Sequence, residues 1–137
     1  VDGHIRGRCG TPGYVAPEIF SAGAYGGYGN KVDVFSAGVT LYVCLCGYEP
    51  FFGENDKELK DANRAAIVDF PEEDWKHASL EARDLVLQMM QADPSKRIDA
   101  KQALGHSWFS VYLGESEGQR QRIASSCTVR DDACSVS

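Results

Sequence analysis

The chain has 137 residues, 43% of them hydrophobic, and its 14 basic against 20 acidic residues give a formal charge of −6. That length allows one ordinary domain with a core of its own. The acidic balance argues against nucleic acid or an anionic membrane as partner, since both need clustered Lys and Arg, and no apolar run approaches the ~20 residues of a membrane span.

Residues 1–13 are polar and Gly-rich, a loop composition. Pro17 suits a first helical position, so Glu18, Ile19 and Phe20 predict a short helix behind it. The stretch SAGAYGGYGN then predicts a surface connection. It is not a phosphate-binding loop, because Lys31 is flanked by Asn30 and Val32 instead of Gly and Ser or Thr, and G-x-G-x-x-G is absent.

Residues 33–47, DVFSAGVTLYVCLCG, set Val34, Phe35, Val39, Leu41, Tyr42, Val43, Cys44 and Leu45 around every side of a 3.6-residue helix. A helix that is apolar all round is expected to be buried on all sides. This stretch therefore predicts the central core helix, with Asp33 as its cap and Gly47 as its stop. Cys44 and Cys46 would point to different sides of it and cannot share a metal. The five cysteines, odd in number and irregular in spacing, predict reduced thiols and a cytoplasmic or nuclear location.

Three further helices are expected. Asn55 with Glu58 three residues later marks the start of DKELKDANRAAI. SLEARDLVLQMMQADP, following Ser79 and stopped by Pro94, places Ala82, Leu85, Val86, Met89 and Met90 on one stripe, the two Met as core filler. DAKQALGHSW opens on Asp99 with Gln102 as a second capping box. From residue 110 the periodicity gives way to Ser, Gly and charge, so residues 110–137 are expected to form a disordered C-terminal tail. The fold class expected is mainly α.

The order GTPGYVAPE, DVFSAGVTLYVCLCGYEPFF, DPSKR and HSWF resembles the C-terminal lobe of the eukaryotic Ser/Thr protein kinases. CGYEPFFGEN and VDFPEEDW are most similar to the calcium/calmodulin-dependent group. The resemblance implies that residues 1–109 are a partial kinase domain, from the end of the activation segment through the last helix of the lobe, without the β-rich N-terminal lobe. It implies that the intact kinase phosphorylates protein Ser/Thr hydroxyls with MgATP. These 137 residues contain no Gly-rich nucleotide loop, no V-A-I-K lysine, no H-R-D-x-x-x-x-N and no D-F-G. The chain alone is thus expected to carry no catalytic residue, cofactor or metal and to be inactive.

The same resemblance assigns residues. Gly10, Thr11, Pro12 and Val15 match the substrate-binding loop, with Thr11 placed to hydrogen-bond the catalytic aspartate and help orient the substrate hydroxyl. Arg8 stands on a neighbouring wall. Glu18 matches the glutamate of the A-P-E motif and Arg97 its ion-pair partner, while Asp33 matches an aspartate that hydrogen-bonds the catalytic-loop backbone. His106 and Trp108 match a helix-end packing motif. Taken without the motifs, Thr11 is ordinary turn chemistry, Glu18 and Arg97 are two surface charges, and Asp33 is a helix cap.

The implied partners are a protein or peptide substrate and the missing N-terminal lobe. Calmodulin binding by residues 110–137 is not expected, because Arg120, Arg122 and Arg130 are offset by Glu115, Glu117, Asp131 and Asp132 and no apolar stripe joins them. A second reading of the same residues is a free-standing kinase-like lobe acting as a non-catalytic docking or regulatory module.

Overall fold

Residues 12–21 and 29–113 are described in the computed structural model. Among them the regular structure is seven helices and no strand: α1 (Pro17–Ser21), α2 (Lys31–Cys46), α3 (Asp56–Ala65), α4 (Glu72–Trp75), α5 (Leu80–Met89), α6 (Ala100–Leu104) and α7 (Ser107–Leu113). The mainly α expectation is met. Gly10, Thr11, most of the Gly-rich connection and residues 114–137 lie outside the described residues.

The longest helix is α2, and it organises the rest. It stops at Gly47, whose φ of 91° is left-handed and whose N–H bonds the Val43 carbonyl at 2.8 Å; glycine takes that conformation without the penalty a Cβ brings. Its start differs from expectation. The helix begins at Lys31, so Asp33 lies in the first turn and is not the cap. The Asp33 N–H already bonds the Asn30 carbonyl at 3.1 Å, inside the helix ladder, and the carboxylate complements the positive helix end from there.

Burial of α2 on all sides is also corrected. Val34, Phe35, Gly38, Val39 and Tyr42 are buried, but Asp33, Ala37, Thr40 and Cys44 are exposed. Those four recur at steps of three and four and so share one side of the helix. Nothing among the described residues packs over that side.

The buried side of α2 meets α5. Gly38 permits the close approach: a Cβ there would sit 2.8 Å from both Met89 Cβ and Met90 Cγ. Ala82, Leu85, Val86 and Met90 are buried, as their stripe predicts. Val86 and Met90 form one core cluster with Ala16, Phe35, Val39, Tyr42, Phe51 and Trp75. Trp75 closes α4, a helix too short to announce itself by periodicity. It is fully buried, with its ring centroid 4.8 Å from Tyr42 and 4.6 Å from Phe70.

Capping follows the local sequence with two adjustments. Asn55 Oδ1 accepts from the Glu58 N–H at 3.0 Å, but the Glu58 carboxylate returns to the Glu54 N–H at 2.9 Å, one residue before the cap. At α6 the box is complete: Asp99 accepts from the Gln102 N–H at 2.7 Å and Gln102 accepts from the Asp99 N–H at 3.0 Å. DAKQALGHSW is not one helix. After Gly105, His106 Nδ1 accepts the Trp108 N–H at 3.2 Å and starts α7. That helix runs to Leu113, past the boundary expected at residue 109.

Candidate functional site

The Pro12–Ala16 turn leads into α1 and is held by side chains from two helices. Asn63 on α3 donates through Nδ2 to the carbonyls of Val15 at 3.0 Å, Gly13 at 3.2 Å and Pro12 at 3.4 Å. Ser36 on α2 donates to the Tyr14 carbonyl at 2.7 Å. Four successive carbonyls are thereby fixed by two side chains. The Ala16 carbonyl then accepts the Ile19 N–H at 3.0 Å and starts α1. Of the substrate-loop residues, Pro12 and Val15 share this turn and are half-buried, whereas Gly10 and Thr11 lie outside the described residues.

One turn further, Glu18 on α1 meets Arg97 in the loop between α5 and α6. The pair is bidentate, with Nη1 to Oε1 at 2.6 Å and Nη2 to Oε2 at 2.9 Å. Arg97 is 1% exposed. Its remaining N–H groups reach backbone carbonyls: Nε to Gln91 at 2.9 Å, Nη1 to Lys31 at 2.9 Å and Nη2 to Ala92 at 3.3 Å. The guanidinium also lies over the Phe35 ring, 5.0 Å from its centroid. All five donors of the fork are occupied, which allows the charge to be buried at all. Burial pushes the Glu18 carboxyl up, but the Arg97 hydrogen bonds and charge outweigh it and hold the group below its ordinary value. The surface-charge alternative does not hold for Arg97.

The loop that carries Arg97 is itself tied down. Asp93 accepts from the Ser95 N–H at 2.9 Å and hydroxyl at 2.7 Å, which together lower its carboxyl pKa. Lys31 donates to the carbonyls of Pro94 at 3.1 Å and Arg97 at 2.8 Å. Lys31, read as a mere neighbour of the Gly-rich stretch, thus joins α2 to the DPSKR loop.

Asp33 is exposed on the open side of α2, and its carboxylate has no hydrogen-bond partner among the described residues. His106 lies far along the chain at the α6–α7 junction, where Nε2 meets Asp84 at 2.8 Å. With Nδ1 accepting the Trp108 N–H, it packs a helix end. Among the described residues no group of three or more His, Cys, Asp or Glu side chains could hold a metal ion, and no helix is long and apolar enough to cross a membrane. Asn63 and Ser36 escape the sequence reading. The one trace of Asn63 is its place on the apolar stripe of α3 between Leu59 and Ala66, both packed on the core.

A buried arginine fork that ties an Ala-Pro-Glu helix to a DPSKR loop, beneath a turn pinned by two helices, defines the helical lobe of a protein kinase. The protein kinase domain model matches residues 2–109, and the chain belongs to that family. It is 47% identical over 122 residues to calcium/calmodulin-dependent protein kinase type 1 of Macrobrachium nipponense, covering 89% of this chain and 34% of that protein. Over 102 residues it is 46% identical to probable serine/threonine-protein kinase 2 of Plasmodium falciparum, covering 74% of this chain and 19% of that protein. Calcium-dependent protein kinase 3 of Plasmodium berghei is 40% identical over 114 residues, covering 83% and 20%. These relatives are Ser/Thr kinases that include a calcium/calmodulin-dependent and a calcium-dependent protein kinase, and the described helices are a part of the C-terminal lobe. The chain spans between 19% and 34% of the length of these curated relatives.

Proposed function

We propose that this chain forms the substrate-side loop and structural core of a Ser/Thr protein kinase that transfers the γ-phosphate of MgATP to protein hydroxyls. The observation that carries the reading is the Glu18–Arg97 pair, 79 residues apart in sequence, which seats α1 and the turn before it on the core. Phosphoryl transfer depends on positioning and charge stabilisation, and a rigid turn beside the acceptor hydroxyl is what this chain offers. Thr11, Pro12 and Val15 would face the substrate. The open side of α2, with Asp33, Ala37, Thr40 and Cys44, supports docking of the rest of the domain, and Asp33 there would meet the catalytic-loop backbone.

The residues present do not suit MgATP. The sequence lacks the phosphate-binding and metal-binding motifs of the family, and we assign this chain no nucleotide contact. The kinase would work in the cytoplasm or nucleus, on a protein or peptide substrate, with no nucleic acid, no membrane and no calmodulin at residues 110–137.

The test is transfer of radiolabelled phosphate to Ser and Thr peptides by the full-length polypeptide that contains this sequence, beside the 137-residue chain alone. Transfer by the longer protein and none by the chain is expected. Turnover by the chain alone would overturn the division of labour. No transfer by the longer protein would overturn the kinase reading in favour of a docking module.

A further inference from the structure

Arg97 and Asn63 are the buried polar or charged residues of the described structure. Arg97 is fully satisfied, but Asn63 is not: its Oδ1 has no hydrogen-bond partner among the described residues. The orientation of the amide is fixed by chemistry, because turning it over would aim Oδ1 at three carbonyl oxygens. Two amide hydrogens serve the three acceptors Pro12, Gly13 and Val15, so one hydrogen is shared.

An apolar residue would fill the inward stripe of α3 and avoid the unpaired Oδ1, but it would leave the carbonyls of Pro12, Gly13 and Val15 without their donor. Stability of α3 therefore does not account for an asparagine. What the amide adds is the fixed backbone of the turn from which the Pro12 and Val15 side chains project. We infer that Asn63 is a positioning residue that sets the shape of the substrate-side turn and so which side chain is accepted after the phosphoacceptor, an inference that rests on the kinase reading above.

Asn63→Leu keeps the branching at Cγ, in a bulkier side chain, and removes the donors. In the full-length kinase, two peptides differing only in the residue after the phosphoacceptor, Leu against Lys, should show a ratio of kcat/KM shifted about tenfold by the substitution, as expected for lost hydrogen bonds. The peptide KM should rise while the ATP KM stays put, and the melting temperature should fall because three turn carbonyls lose their donor. A lower kcat or melting temperature with an unchanged peptide ratio would make Asn63 merely structural and overturn the inference. A second measurement needs no catalysis: hydrogen exchange over residues 12–16 of the 137-residue chain should quicken about tenfold in Asn63→Leu, with α5 unaffected. Unchanged exchange there overturns the inference as well. If the full-length wild type transfers no phosphate, the kinase reading falls, and the exchange result still decides whether Asn63 holds the turn.

Discussion

Glu18 and Arg97 show how a single pair can matter without being a large net source of stability. The guanidinium is 1% exposed, so its solvation is replaced by the carboxylate, three carbonyls and a ring face. Glu18→Ala removes the countercharge and leaves Arg97 stranded. The expected cost is about 3–5 kcal/mol in denaturant unfolding of the chain, and a change below about 0.5 kcal/mol would show that the pair is worth no more than an exposed one. The pair also carries a pH signature. The folded carboxyl lies below its ordinary value of 4.5, so its contribution is complete above that value and is lost as pH falls through the lowered one. The stability gap between wild type and Glu18→Gln should accordingly narrow below pH 4.5; a gap independent of pH would contradict the assignment. The Ala-Pro-Glu and DPSKR motifs made this pair legible in the sequence. Asn63 had no such flag, since nothing local distinguishes a helical asparagine that faces solvent from one that faces three carbonyls.

Between elements, the decisive contact is the crossing of α2 on α5 at Gly38. Alanine in a helix interior is normally favoured over glycine by about 0.5–1 kcal/mol. Here the added methyl would meet Met89 Cβ and Met90 Cγ at 2.8 Å. Met90 can swing its side chain, but Met89 Cβ is fixed to its backbone, so the helices must part. Gly38→Ala should destabilise by about 1–3 kcal/mol, read as a lowered melting temperature. A raised one would mean that α2 and α5 do not pack this closely. The apolar stripe of α5 foretold which side it buries, and the caps at Asn55, Ser79 and Asp99 foretold where three helices begin. The break between α6 and α7 was not foretold, because His106 competes as a cap only once its ring is held by Asp84 from α5.

For the molecule as a whole, the open side of α2 and the acidic balance frame what can bind. The chain spans 34% or less of the three kinases compared above, and α2 leaves Asp33, Ala37, Thr40 and Cys44 uncovered among the described residues. The remaining surface question is calcium control. A calmodulin target needs a basic face opposite apolar anchors at helical spacing, which residues 110–137 lack. Titrating a peptide of residues 110–137 into calcium-loaded calmodulin should give no binding heat and no gain of helix by circular dichroism. Micromolar or tighter affinity would place calcium regulation in this segment after all.

By itself the sequence determined the helical class, the order of the longer helices, most of their caps, and through its motifs the kinase lobe and the Glu18–Arg97 pair. These depend on chemistry within a few residues, where propensity, periodicity and capping act. Only the tertiary structure decided that α2 is buried on one side and open on the other, that Trp75 closes the core from a four-residue helix, and that Asn63 grips a turn 48 residues away. Burial and hydrogen-bond partnership depend on which distant segments are brought together, and no local pattern encodes that.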